Sequence, residues 1–291
     1  MPSPAPSIPA TPVARVLDAE WPAARGARVA FAAATAADLA AVREHVRREC
    51  GRVCGDAAAR DALVLAADEV CANVVAHAYG RAPGPLTVDV APAPPADDGC
   101  RVTVADAGPP FDPRVAPRAN APPPAGPLAD RRPGGLGWLL VRRSVDRVEY
   151  ERAGRCNVVT LERRCGPRPA PPNSDPRRPM HISIAQEQDV TVVSVAGSLD
   201  ALTADQLDDA LQGEVRAGRA RLVAALAELD YTSSAGLRVL LSAVKAAHQR
   251  GGDLRLAGAQ ERVERVLSLS GFTGILRCYP DVPAAVASWA A

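Results

Sequence analysis

Aromatic side chains are scarce in this chain of 291 residues: they form 3% of it, against 47% for all hydrophobic residues, with Ala and Val dominant. Bulky aromatic cores are thereby excluded, and small, tightly packed layers are expected. An excess of charge is missing too. With 34 basic and 33 acidic side chains the net charge is +1, so no global field draws the chain to nucleic acid or to a membrane. No uninterrupted apolar run approaches the ~18 residues that a membrane helix needs. Met1 to Pro12 lacks a basic segment followed by an apolar one and does not read as a secretion signal. The seven cysteines, at positions 50, 54, 71, 100, 156, 165 and 278, are odd in number and show no CxxC spacing. Neither a disulfide framework nor a zinc site is expected, and free thiols fit a reducing cytoplasm. Cys50 and Cys54, one helical turn apart, read as two small side chains on a helix rather than as a metal or redox pair.

The length allows two ordinary domains, each with its own core. Proline marks where they divide. Residues 1–27 form a Pro/Ala-rich tail, and the stretch GPRPAPPNSDPRRP over 166–179 is a semi-rigid linker with nothing to build a core from. A third Pro-rich segment, 109–133, falls inside the first domain, 28–165, where a long loop is usually functional or mobile. In that domain the pattern predicts a strand at Arg28–Phe31 and helices at Ala36–Cys50 and Ala57–His77. Strands follow at Leu86–Val90 and Arg101–Ala105, then a helix from about Gly137 and closing strands at Val145–Tyr150 and Asn157–Glu162. Neighbouring strands late in the domain point to an α+β sandwich with helices on one sheet face. Over 180–291 strands and helices alternate regularly, which implies an α/β domain with a mixed, partly parallel sheet.

Three local patterns in the first domain suit a nucleotide. On the helix Ala57–His77, the residues Glu69, Asn73 and His77 recur every fourth position and share a face distinct from the apolar stripe. An amide oxygen can ligate Mg²⁺, and a carboxylate one turn away can accept a proton from an attacking hydroxyl. The strand Arg101–Ala105 runs into Asp106 and Gly108, an acid able to hydrogen-bond an adenine amino group and a glycine that permits a sharp turn. Gly135 and Gly137 precede an apolar helix, whose free N–H groups can hold phosphate, although no G-K-[ST] of a Walker motif follows. Taken singly, these read first as a solvated helix face, a common turn and a Gly-rich loop.

Their order is more specific than any one of them. EVCAN on a helix, DAGPPFD after a strand and GGLG before a helix together resemble the N, G1 and G2 boxes of the GHKL (Bergerat-type) ATPases. LAADEVCANVVAHAYG, GGLGWLLVRRSVDRVEYER and the closing GRCNVVTLERR resemble the anti-sigma-factor serine kinases of that superfamily. The resemblance implies ATP and Mg²⁺ as cofactors, Asn73 as Mg²⁺ ligand and Glu69 as catalytic base for serine phosphorylation. It further implies Asp106 as adenine reader, with Gly108, Gly135 and Gly137 shaping the pocket, and the segment 109–133 as ATP lid. The lid arginines 114, 118, 131 and 132 read either as γ-phosphate contacts or as solvated loop charges. Arg43 stands where these kinases touch their substrate protein. No phosphoacceptor domain of a histidine kinase fits ahead of Arg28, so autophosphorylation on histidine is not expected.

In the second domain, Ser233 and Ser234 stand at a strand-to-helix junction, where serine is first of all a helix cap. LDYTSSAGLRVLLSAVKAA, preceded by VVSVAGSLDALTADQL, resembles the STAS family of anti-sigma-factor antagonists. The resemblance implies Ser234 as phosphoacceptor and places Asp200 near the same face as a partner-binding residue. Many members carry Asp where this chain has Ser233. The two resemblances together imply a cytoplasmic partner-switching kinase acting on a STAS serine, its own or that of a separate antagonist. A sigma factor and a metal-dependent protein phosphatase would be further partners, homodimers are frequent in the family, and no nucleic-acid or membrane partner is implied. With a linker of about 14 residues, the attached STAS domain would be present at a millimolar effective concentration. The rival reading is a nucleotide-sensing binding scaffold without transfer.

Overall fold

A computed structural model describes residues 26–80, 82–94, 99–113, 136–166 and 180–289. The tail up to residue 25, the linker 166–179 beyond Gly166, most of the expected lid (114–133) and Gly135 lie outside the described residues.

The first domain is a five-stranded antiparallel sheet of order β1-β2-β3-β5-β4, with β1 Ala27–Ala34, β2 Gly84–Ala93, β3 Gly99–Asp106, β4 Arg147–Ala153 and β5 Cys156–Arg164. Helices α1 (Leu39–Val53), α2 (Ala57–Asn73) and α3 (Leu136–Ser144) accompany it, with α2 packed on both of the others. The register explains the core. Val88, Val104 and Val159 align across β2, β3 and β5, as do Val90, Val102 and Leu161, and all six are buried. Against them pack Leu63, Ala66, Ala67 and Val70 of α2 and Val42 and Val46 of α1. Small side chains let the helices lie close to the sheet, as the aromatic-poor composition requires.

Two expectations for this domain need correction. The helix predicted to run to His77 ends as an α-helix at Asn73 and continues as a π turn over Val74–Ala78. Its i→i+5 bonds widen the turn and break the four-residue series, so exposed His77 no longer follows Glu69 and Asn73. The expectation of free cysteines fails as well. Cys54 and Cys165, 111 positions apart, form a disulfide with Cα atoms 5.7 Å apart, inside the range that such a bond spans. The end of α1 and the end of β5 meet at one end of the sandwich, and spacing along the chain carries no trace of that meeting. Cys50, Cys71, Cys100, Cys156 and Cys278 are free, and the Sγ atoms of buried Cys50 and Cys100 lie 3.0 Å apart.

The second domain has a mixed sheet of order β10-β9-β8-β7-β6, from β6 His181–Glu187, β7 Val190–Leu199, β8 Arg221–Thr232, β9 Asp253–Ala257 and β10 Arg277–Tyr279. Only β6 and β7 pair antiparallel. The last strand was not predicted: three residues are too few for a periodic signal. Helices α4 (Ala204–Arg216), α5 (Ser234–His248) and α6 (Glu261–Leu269) share one core with Val193, Val195, Leu222, Leu254 and Leu256. The short α7 (Val282–Ala287) covers Val190, Val192 and Val223, which alternate to the other sheet face.

The two domains are not separate bodies. Leu65 of α2 and Leu140 of α3 belong to the same apolar cluster as α5 and α6, and Tyr231 of β8 touches the first domain's core. Arg143 of α3 donates to the Leu269 carbonyl at the end of α6.

Replacing Cys54 and Cys165 together by Ser is expected to lower the unfolding free energy by ~2–4 kcal/mol. Urea unfolding checks this: a dithiol reductant shifts the midpoint of the native chain and leaves that of the double variant in place.

Candidate functional site at the domain seam

Helix α2 carries the centre of the site, and its start is held locally. Asp56 is the N-cap, accepting from the Ala58 and Ala59 amides, and its second oxygen accepts from Gly166 beside the disulfide. One face of α2 is fully apolar, and the polar residues Asp68 and Glu69 near its far end are buried against the second domain at 2% and 3% exposure.

Glu69 meets the start of α5. Ser233 is the N-cap there, its hydroxyl accepting from the Ala235 amide, so the capping role belongs to Ser233 and leaves Ser234 free. Ser234 donates its backbone N–H to Glu69 Oε1 at 2.7 Å and its hydroxyl to Glu69 Oε2 at 2.6 Å. The carboxylate thus satisfies a first-turn amide that has no acceptor within its own helix, at the positive end of the helix dipole. Burial pushes the Glu69 carboxyl up to about 7. The two Ser234 hydrogen bonds and the charge of Arg238, one turn further along α5, act against that rise.

The start of α3 closes the other side. A Cβ on Gly137 would lie 2.7 Å from Glu69 Oε2 and 3.7 Å from Asn73 Nδ2, so only glycine allows this approach. Asn73 Nδ2 is buried and has no hydrogen-bond partner. An unpaired buried amide one turn from an acid, beside a helix start, fits a ligand that brings oxyanions and a hard cation. Among the described residues no three His, Cys, Asp or Glu side chains gather as a metal cage. A Mg²⁺ ion there would take most of its ligands from phosphate and water, as this ion usually does.

Asp106 lies at the end of β3, in register with Asn157 of β5. Its Oδ1 accepts from the Gly108 amide at 2.8 Å and from Asn157 Nδ2 at 2.9 Å. Burial raises its carboxyl, and these two donors oppose the rise. Asn157 also holds the turn after β3: its Nδ2 donates to the Pro109 carbonyl, and its Oδ1 accepts from the Phe111 amide, Tyr150 and Arg152. Asn157 lies in the quoted GRCNVVTLERR, where its role carries no signal beyond a polar residue at a buried strand position. Phe111, exposed at the edge of this turn, faces the Trp138 ring with centroids 6.0 Å apart.

Arg43 and Asp200, both expected at a partner surface, bond to each other across the seam. Arg43 Nη1 also donates to Asp68 Oδ1 at 3.0 Å, and Tyr231 donates its hydroxyl to Asp68 Oδ2 at 2.7 Å. Burial works against the Arg43 charge, but Asp68, Tyr231 and Asp200 outweigh it and raise its pKa. Asp68 and Tyr231 lie within the two quoted segments, but nothing in the sequence shows that they meet across the seam. The structure therefore brings Glu69, Asn73, Gly137 and Ser234 into one place, sets Arg43 and Asp200 beside them, and keeps Asp106 and Gly108 with Asn157 at the sheet end.

Comparison with known proteins gives two matches along the chain. Residues 32–163 match the model of the histidine kinase-like ATPase domain, and residues 181–285 match that of the STAS domain. The candidate anti-sigma factor antagonist BtrV of Bordetella bronchiseptica is 33% identical over 110 residues, covering 38% of this chain and 95% of that protein. The anti-sigma F factor antagonist of Paenibacillus polymyxa is 31% identical over 106 residues, covering 35% of this chain and 88% of its own length. Among solved structures, an anti-sigma factor antagonist from Mycobacterium paratuberculosis matches with 24% identity and a TM-score of 0.36, covering 38% of this chain and 93% of that one.

Gly137→Ala is expected to destabilise the chain by ~1–3 kcal/mol, because the added methyl must displace Glu69. Gly213, in α4 with open space around its Cα, is the contrast: Gly213→Ala is expected to stabilise by ~0.5–1 kcal/mol. Thermal unfolding of the two variants beside the parent chain checks the opposite signs.

Proposed function

The chain belongs to the STAS family of anti-sigma factor antagonists and carries a histidine-kinase-like ATPase domain ahead of it, and from that premise we propose that it is an ATP-dependent protein serine kinase acting in cis on Ser234. The observation that carries this reading is the 2.6 Å hydrogen bond from the Ser234 hydroxyl to Glu69 Oε2. A base within that reach of the proton it must take is the first requirement of general-base catalysis, and a carboxyl near pKa 7 is the second.

Bound ATP, with Mg²⁺, would supply the phosphoryl group and leave as ADP. Asn73 would hold the metal, Asp106 the adenine, and Gly108 and Gly137 the close approach of base and phosphates. Glu69 takes the proton from Ser234 Oγ as that oxygen forms its bond to phosphorus and the bond to the ADP oxygen breaks. Glu69 also holds the Ser234 amide, so acceptor and base keep one geometry throughout. The seam excludes water: Glu69 and Ser234 are 3% and 6% exposed.

Transfer would undo the docking that allows it. A phosphoserine carries about −1.5 to −2 charge at pH 7, and it would lie against Glu69 with Asp68 and Asp200 close by. Repulsion opens the seam and frees the ATPase face holding Arg43 for another partner, a sigma factor or a second antagonist. A protein phosphatase acting on the exposed phosphoserine would restore docking. This is a partner switch within one chain.

Incubation with γ-labelled ATP and Mg²⁺ is expected to label the native chain. Ser234→Ala should abolish the label, and Glu69→Gln should slow it by roughly 10²–10⁴-fold, the usual contribution of a general base. ATP binding with no label on any residue would instead make the chain a nucleotide-sensing scaffold.

The pH dependence has a definite sign. Glu69 must be ionised to take the proton, so the single-turnover rate should rise with pH through about 7 and then level off. Docking should respond oppositely. A carboxyl raised above its unfolded value binds more protons in the docked state, so that contribution is full below the unfolded pKa and is lost as pH climbs through about 7. A rate profile measured on the native chain that is flat between pH 6 and 8 would remove Glu69 from the role of base.

A further inference from the structure

Asp68 has no part in the chemistry just described, yet it is among the most buried charges at the seam. Its two oxygens face different domains. Oδ1 takes Arg43 Nη1 from its own domain, and Oδ2 takes the Tyr231 hydroxyl from the other, three residues ahead of Ser234. The Arg43 guanidinium lies 5.1 Å from the centre of the Tyr231 ring and reaches on to Asp200. Two carboxylates, Asp68 and Asp200, therefore meet at Arg43, and Glu69 follows Asp68 directly on α2, with Arg238 acting on it from the helix face. A further acid is unwelcome here, and a neutral donor is what Oδ2 lacks.

From this geometry we infer that Asp68 and Tyr231 form a selectivity pair: the ATPase domain admits to Glu69 a STAS serine preceded, three residues earlier, by a side chain that donates a hydrogen bond. Phe at that place fills the same space but leaves a buried carboxylate oxygen dry, which is costly in a water-excluded site. An acidic side chain adds like charge at contact distance. Sites built to bond a hydroxyl reject partners lacking it, because their own polar atom is left unpaired. The partner that competes best with the attached domain would thus be a STAS domain with Tyr at this place and a carboxylate at the turn after β7, to meet Arg43. The inference rests on the docking of Ser234 at Glu69 but not on phosphoryl transfer, so the two can fail separately.

Amide hydrogen exchange at Ser234 in the full chain, without nucleotide, provides the test. That N–H bonds only across the seam, to Glu69, so its protection reports docking. Tyr231→Phe retains the ring against Arg43 and should speed Ser234 exchange about tenfold. Tyr231→Glu should speed it about a hundredfold. Asp68→Asn added to Tyr231→Glu should recover part of that loss, since the new amide can donate to the new carboxylate. Exchange at Val104 and Leu240, deep in the two cores, should stay at the native rate and show that the variants are folded. A native exchange rate at Ser234 in Tyr231→Phe would overturn the inference, as would effects of Asp68→Asn and Tyr231→Glu that simply add. Kinase labelling that fails in the native chain while this pattern holds would count against the proposed reaction alone.

Discussion

One buried carboxylate ties this molecule together. Glu69 accepts both the amide and the hydroxyl of Ser234, from a residue 165 positions away, and does so where water is excluded. A carboxylate buried alone would be strongly unfavourable. It is tolerable here because a helix start presents a free N–H and a positive dipole to it. Burial at the seam raises its proton affinity into the neutral range against the two Ser234 bonds, so closure of the domains on each other gives the acid its chemical character.

The surrounding structure serves that contact in layers. Leu65 and Leu140 reach into the second domain's core and provide the apolar part of the seam. Arg43, Asp68, Asp200 and Tyr231 provide a polar part that is specific rather than strong, since removing any one leaves a buried charge without its partner. Asp56 caps the helix that carries Glu69 and also holds Gly166, next to the Cys54–Cys165 bond. The start of the linker is thereby fastened to the foot of α2. The disulfide also removes the cysteine-based reason for expecting a reducing compartment.

Much of this was legible in the chain. Strand and helix positions followed from periods of two and about four, and EVCAN, DAGPPFD and GGLG marked Glu69, Asn73 and Gly137, which the structure brings together, and Asp106, which it keeps at the sheet end. Ser234 stood out only through the resemblance of LDYTSSAGLRVLLSAVKAA to the STAS family, since either serine of the pair could cap the helix, and the structure gives that task to Ser233. Other features left no mark. Asn157 reads as an ordinary polar residue in a strand until the register sets it opposite Asp106. The π turn after Asn73 is a departure from a helical pattern that the sequence continues smoothly. Cys54 and Cys165 share no spacing that announces a bond.

By itself, then, the sequence determined the two sheets, the helices upon them and the residues at their ends. Those depend on side-chain period, capping and turn chemistry, which act over a few neighbours. Only the tertiary structure decided that Glu69 would face Ser234, that Asp68 would need Tyr231, and that Cys54 would meet Cys165. Such contacts arise where two finished surfaces close on each other, and the exclusion of water that gives Glu69 its raised proton affinity exists only after they have closed.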